Sequence, residues 1–148
     1  MMKTILITAS FISLLLAITG EGAQSKSRYS DEIVAATLIL EAGGEYYAGS
    51  MEAVNEVIVN RASKRNKSEA MVCLQKYQFS CWNGKDTHAG ISKAMLHPRW
   101  DEALRIVQSP TTNYTLGADH YHADYIKDPY WAKSMTITTK IGLHIFYK

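Results

Sequence analysis

The sequence predicts an α+β domain, with a helical first half and a small β-sheet toward the C-terminus. Two observations carry this. Apolar residues recur at intervals of three and four from Ile33 to Val107, and after Met135 they alternate singly with polar ones. A composition of 47% hydrophobic and 20% charged residues is that of an ordinary globular chain and excludes a disordered one. No linker, repeat or low-complexity stretch divides it, so one domain is expected over residues 24–148.

Residues 1–23 read as an export signal peptide. Lys3 precedes an apolar run from Ile5 to Ile18, broken by Thr8, Ser10 and Ser13. That run is too short to cross a bilayer comfortably, which takes about 20 residues. Small residues follow at Gly20, Gly22 and Ala23 without a clean cleavage motif. The expectation is an exported protein of the periplasm or cell wall, with no stable membrane span.

Gln24 to Tyr29 read as a loose polar lead-in. Ser30 is the expected N-cap of a first helix, with Asp31 and Glu32 at its positive end. Ile33, Val34, Thr37, Leu38 and Glu41 follow at helical spacing, and Gly43 and Gly44 are expected to end the helix in a left-handed cap. Ser50 is a candidate cap for a second helix carrying Met51, Val54, Ile58 and Ala62, its stripe ending at Asn60 and Arg61. Short helices are expected over Ser68–Leu74 and Ile91–Leu96. Pro98 opens another through Trp100, Ala103, Leu104 and Val107, which Pro110 closes. Met135, Ile137 and Thr139, then Leu143, Ile145 and Tyr147, alternate around Gly142 as strands.

Three clusters can hold chemistry. Glu41 closes the apolar side of its helix, where a carboxylate meets the negative end of the helix dipole and burial disfavours its charge further. A general acid requires such a setting. The bland alternative is a solvated glutamate in a turn. Glu45 follows the glycine pair and is expected to be more exposed. In the second cluster, Gln78, Phe79, Ser80 and Trp82 combine aromatic faces with polar edges suited to sugar rings, although Phe79 and Trp82 also suit a core. The third holds Asp119, His120, Tyr121, His122 and Asp124, with His144 beyond. His120 and His122 are expected on opposite faces of an extended segment, and no HExxH or paired CxxC motif is present, so no metal or other cofactor is expected. Cys73 and Cys81 suit one disulfide in an oxidising compartment, with two buried thiols as the alternative. A net charge of +2 without a basic, aromatic-rich block argues against nucleic acid as a partner.

Taken in order, these segments resemble the cell-wall hydrolase family typified by the catalytic domain of the spore cortex-lytic enzyme. The resemblance runs from about Ser30 to the C-terminus. Its fragments are Glu41, Ala42, Gly44 and Glu45; then Ala53, Val54, Val57, Asn60 and Arg61; then Gln78, Phe79, Ser80 and Trp82. Gly117, Ala118, Tyr121 and His122 follow, with Pro129 and Trp131, and last Gly142, His144, Phe146 and Tyr147. Gly43, Tyr46 and Cys81 depart from the family pattern. The resemblance implies a lysozyme-like fold and a peptidoglycan-degrading enzyme that cuts the bond between N-acetylmuramic acid and N-acetylglucosamine. It further implies a lytic transglycosylase with Glu41 as its single acid/base and glycan strands as its partner. Glu45, Gln78, Phe79, Ser80, Trp82, Tyr121, His122 and His144 are then expected to bind substrate, in a monomer. The alternatives are an N-acetylmuramoyl-L-alanine amidase and a non-catalytic wall-binding protein.

Overall fold

A computed structural model describes residues 13–148, with side chains described from Arg28 onward. The expected export segment thus lies largely outside the described residues. None of the described helices is long and apolar enough to cross a membrane. The described residues form α1 (Ser13–Ala42), α2 (Ser50–Arg65), α3 (Glu69–Leu74), α4 (Thr87–Met95) and α5 (Trp100–Gln108). They also form β1 (His120–Ala123), β2 (Ile137–Ile141) and β3 (His144–Tyr147), with short 3₁₀ turns at Ser80–Trp82 and Tyr130–Ser134.

The α1 helix is the hub. Residues 33–39 are buried without interruption, so this part of the helix is enclosed all round and does not present one apolar stripe. Ala35 and Ala36 let α2, α3, α4 and α5 pack around it. Its one polar buried side chain is partnered: Thr37 Oγ1 donates to the Ile33 carbonyl at 2.8 Å and accepts the Trp82 indole N–H at 2.9 Å. The sheet is antiparallel in the order β1-β3-β2, with Tyr121 opposite Phe146 and a bulge between Ile137 and Thr139. Phe146 and Ala118 pack on Ala53 and Val57 of α2, which joins the sheet to the helices.

Several local expectations are corrected. The lead-in is helical, and Ser30 lies inside α1 instead of capping it. Residues 24–30 contain neither glycine nor proline to break the helix, and Arg28 pairs with Glu32 one turn on at 3.4 Å. Neither Gly43 nor Gly44 is left-handed. Gly43 is needed for room instead, because a Cβ there would stand 2.5 Å from the Ile39 carbonyl oxygen. Gly49, at φ 87°, is the N-cap of α2, and Ser50 is the first helical residue. The α2 helix also runs past Arg61 to Arg65. Cys73 and Cys81 are separate buried thiols and form no disulfide. Burial, partly offset by a hydrogen bond with Thr37, pushes the Cys73 thiol up to about 12, so it stays protonated.

Thr37→Val removes the partner of a buried indole N–H and of the Cys73 thiol. The expected loss is about 1–3 kcal/mol of stability, the cost of a buried unsatisfied donor, read as a lower urea midpoint at unchanged slope.

Candidate active site

A groove of about 680 Å³ opens where the end of α1 meets β1, β3, the end of α2 and the segment from Tyr77 to Asn83. Glu41 lies in it, on the last turn of α1. The helix sets its position, and two donors from different parts of the chain fix its carboxyl. The Tyr121 hydroxyl donates to Oε2 at 2.9 Å, and the Cys81 backbone N–H donates to Oε1 at 3.3 Å. Burial first, and then the adjoining Glu41 carboxylate, hold the Tyr121 phenol well above its ordinary range, so it remains a donor. The same two causes push the Cys81 thiol far up. Among the described residues lining the groove, Glu41 is the sole carboxylate.

Glu45 does not line that groove. Its carboxylate clamps the turn between β2 and β3, accepting from the Leu143 backbone N–H at 3.1 Å and from Ser50 Oγ at 3.2 Å. Gly142 completes the turn at φ 57°, and any Cβ there would collide with the Glu45 carboxylate. Glu45 Oε1 also lies 3.0 Å from His144 Nδ1, out of line for a hydrogen bond, so the contact is one of charge and proximity. Through His144 the clamp reaches the groove. The His144 ring meets the Tyr121 ring edge-on at 4.9 Å, behind the donor to Glu41.

The opposite wall is aromatic. Trp131 lies 5.0 Å from the His120 ring, 5.9 Å from His122 and 5.3 Å from Tyr147. His120 and His122 therefore share a face of β1, contrary to the expectation of opposite faces. Residues two apart on a strand point the same way, and that assignment misread the period. His122 is also tied at both nitrogens, Nδ1 to the Ala123 carbonyl at 2.9 Å and Nε2 to the Tyr147 hydroxyl at 2.8 Å.

Of the expected substrate-binding residues, Gln78, Ser80, Tyr121, His122 and His144 line the groove together with Glu41. Glu45, Phe79 and Trp82 do not. Phe79 is 2% exposed and Trp82 8%, so both belong to the core. Each aromatic has a partner inside, and Trp82 also lines a smaller cavity that adjoins the groove. Phe79 lies under the Arg61 guanidinium at 5.1 Å, and Trp82 donates to Thr37. Sequence reasoning also missed groove residues: Arg61, Arg65, Tyr77 and Trp131. Trp131 was legible as part of the Pro-x-Trp fragment. Arg61 carried a signal too, next to Asn60. Asn60 Nδ2 donates to the Ala118 carbonyl at 2.7 Å and Arg61 Nε to the Asp119 carbonyl at 2.6 Å, so this dipeptide ties α2 to the start of β1.

Electrostatics at the clamp yield a pH prediction. Burial lowers His144 below its ordinary 6.5, against the upward pull of Glu45, Glu41 and Asp124. The folded chain then binds fewer protons than the unfolded one just below pH 6.5. Stability from this residue is present above that pH and falls as the pH drops through it toward the lowered folded value. Urea midpoints measured from pH 7.5 downward are expected to decline in this window, and His144→Gln is expected to flatten the decline.

Comparison with known proteins places this geometry. Residues 44–147 match a family described as cell wall hydrolase, and Glu41 lies just ahead of the matched span. None of the curated proteins matches the chain. Two solved structures share the fold. The catalytic domain of the germination-specific lytic transglycosylase SleB from Bacillus anthracis is 22% identical with a TM-score of 0.61, over 80% of this chain and 93% of that one. The catalytic domain of the Bacillus cereus SleB protein is 24% identical with a TM-score of 0.55, over 82% and 91%. The expected lysozyme-like α+β architecture is therefore the observed one. Since the matched span covers α2 to β3 and with them most of the groove, the chain belongs to the cell wall hydrolase family and is an enzyme.

Proposed function

We propose that this enzyme cleaves the bond between N-acetylmuramic acid and N-acetylglucosamine in peptidoglycan as a lytic transglycosylase, with Glu41 as its single acid/base. The observation that carries this is the groove with one carboxylate on its described lining, held by two donors. A hydrolytic glycosidase needs a second carboxylate to activate water or to attack the sugar. The nearest in sequence, Glu45, is occupied by Leu143, Ser50 and His144. The fold shared with a domain described as a lytic transglycosylase supports the same reading.

In this mechanism Glu41 in its acid form gives its proton to the glycosidic oxygen, and the bond from muramic C1 to that oxygen breaks. The resulting carboxylate takes the proton of the muramic C6 hydroxyl as O6 bonds to C1. A 1,6-anhydro ring closes, Glu41 is again an acid, and no water is consumed. The Tyr121 O–H and Cys81 N–H stabilise the carboxylate that exists between the two proton transfers. Ser80 and Gln78 supply polar edges and Trp131 an aromatic face to the sugars. An enzyme of this kind works outside the cytoplasm, and the apolar opening of residues 1–23 serves as its export signal.

Glu41→Gln is nearly isosteric and keeps both contacts within reach. It is expected to lower lysis of purified sacculi by about 10²–10⁴-fold, the contribution of a positioned general acid, with an unchanged circular dichroism spectrum. Glu45→Gln should lower stability more than chemistry. Near-normal lysis by Glu41→Gln with loss in Glu45→Gln would reverse the assignment.

A further inference from the structure

We infer that one end of the groove, built from Arg65, Lys76 and Tyr77, binds carboxylates of the peptide stems that hang from the glycan, so that the enzyme favours strands whose stems are intact. The inference rests on the peptidoglycan reading above and names which part of that polymer this end of the site recognises.

The charge pattern is the first observation. Several cations elsewhere have acidic partners: Lys64 with Asp119 at 2.6 Å, Arg99 with Glu102 at 2.7 Å and Lys140 with Asp124 at 2.6 Å. Arg65 lines the groove, yet among the described residues it meets only neutral amide oxygens, Gln78 Oε1 at 2.6 Å and Gln75 Oε1 at 3.4 Å. Lys67 shares the same Gln75 oxygen at 3.3 Å. Lys76 lies over the Tyr77 ring at 4.9 Å. Arg61, buried beside them, is satisfied by backbone carbonyls. This end of the groove is therefore cationic and not neutralised by the described residues. The two glutamines fix Arg65 through one nitrogen, Nη1, and leave donors of its fork for a carboxylate.

Shape is the second observation. Tyr77 holds a left-handed backbone at φ 65°, a strained state for an aromatic residue, and the residue is 74% exposed. Asn83 Oδ1 accepts its backbone N–H at 3.3 Å and fixes the turn. Tyr77 and Asn83 line both the main groove and an adjoining cavity of about 330 Å³, which Lys76 lines on the far side. A chain branching from a muramic residue near Glu41 can thus pass Arg65, cross Tyr77 and reach Lys76. Peptide stems have this character, being short branches on alternate sugars that carry free carboxylates. A glycan stripped of its stems offers only the lactyl carboxylate held at the muramic ring, not an anion carried out along a branch.

The test uses soluble glycan strands freed of phosphate-bearing polymers, with stems intact or removed by an amidase. Binding is measured calorimetrically with the Glu41→Gln protein, so that no cleavage intrudes. Stem-bearing strands are expected to bind about tenfold more tightly than stripped ones, the size of a charge-assisted contact at a half-exposed site. Arg65→Gln in that background should bring the ratio near one, with Arg65→Lys intermediate. Lys76→Glu, at an exposed position remote from the core, should also reduce it if Arg65→Gln fails to fold. Equal binding of the two strands, or a ratio unchanged in folded Arg65→Gln and Lys76→Glu proteins, would overturn the inference. Discrimination seen only when phosphate polymers are left in place would also overturn it, by assigning the cationic end to phosphate. Wild-type digestion of the same strands reads the other question. If neither kind is cut in its glycan, the glycosidic reading fails, while the binding ratio still decides this one.

Discussion

Everything in this molecule converges on holding one carboxyl group still. Glu41 belongs to the helical half, while its donors come from a sheet residue, Tyr121, and from the turn at Cys81. In the proposed mechanism this carboxyl gives a proton and then takes one back, and it profits from a fixed orientation in both states. Neither donor can follow it if the two halves slide. The enclosed stretch of α1 supplies the rigid axis, and its burial on all sides leaves that axis no freedom to rotate.

Three ties keep the halves in register. Asn60 and Arg61 reach from α2 to the carbonyls of Ala118 and Asp119, just before β1. Glu45 reaches from the end of α1 to the β2–β3 turn. Phe146 plugs the sheet onto Ala53 and Val57. Asp119 adds a surface tie. Burial pushes its carboxyl up, but hydrogen bonds from Lys64 and His120 outweigh that and hold it below the ordinary carboxylate range. Glu45 thus holds the β2–β3 turn and, through His144, stands behind the Tyr121 ring.

Much of this was legible in the sequence. The helical intervals gave α2 to α5 to within a few residues, and Ser68 caps α3 by accepting the Met71 N–H at 3.3 Å. Alternation around Gly142 gave β2 and β3. What escaped depended on partners distant in sequence. A glycine needed for space at Ile39 looks the same in sequence as one needed for a left-handed cap. Phe79 and Trp82 read as core more readily than as sugar platforms, and Arg61 and Thr37, found against them, bear out the core reading. β1 is short, and its pairing with β3 is set by residues far along the chain. Tyr77 gives no sign in sequence of its left-handed backbone.

The central claim is that one carboxyl suffices because the sugar's own hydroxyl takes the place of water. Digestion of sacculi in ¹⁸O-enriched water, followed by mass analysis of the new muramic acid termini, tests it most directly. The account predicts termini without ¹⁸O and without a reducible end, lighter by about 20 Da than termini hydrolysed in that water, the mass of the labelled water that is not added. Reducible termini carrying ¹⁸O at the anomeric carbon would show that water is the nucleophile, and the single-carboxylate account would be contradicted.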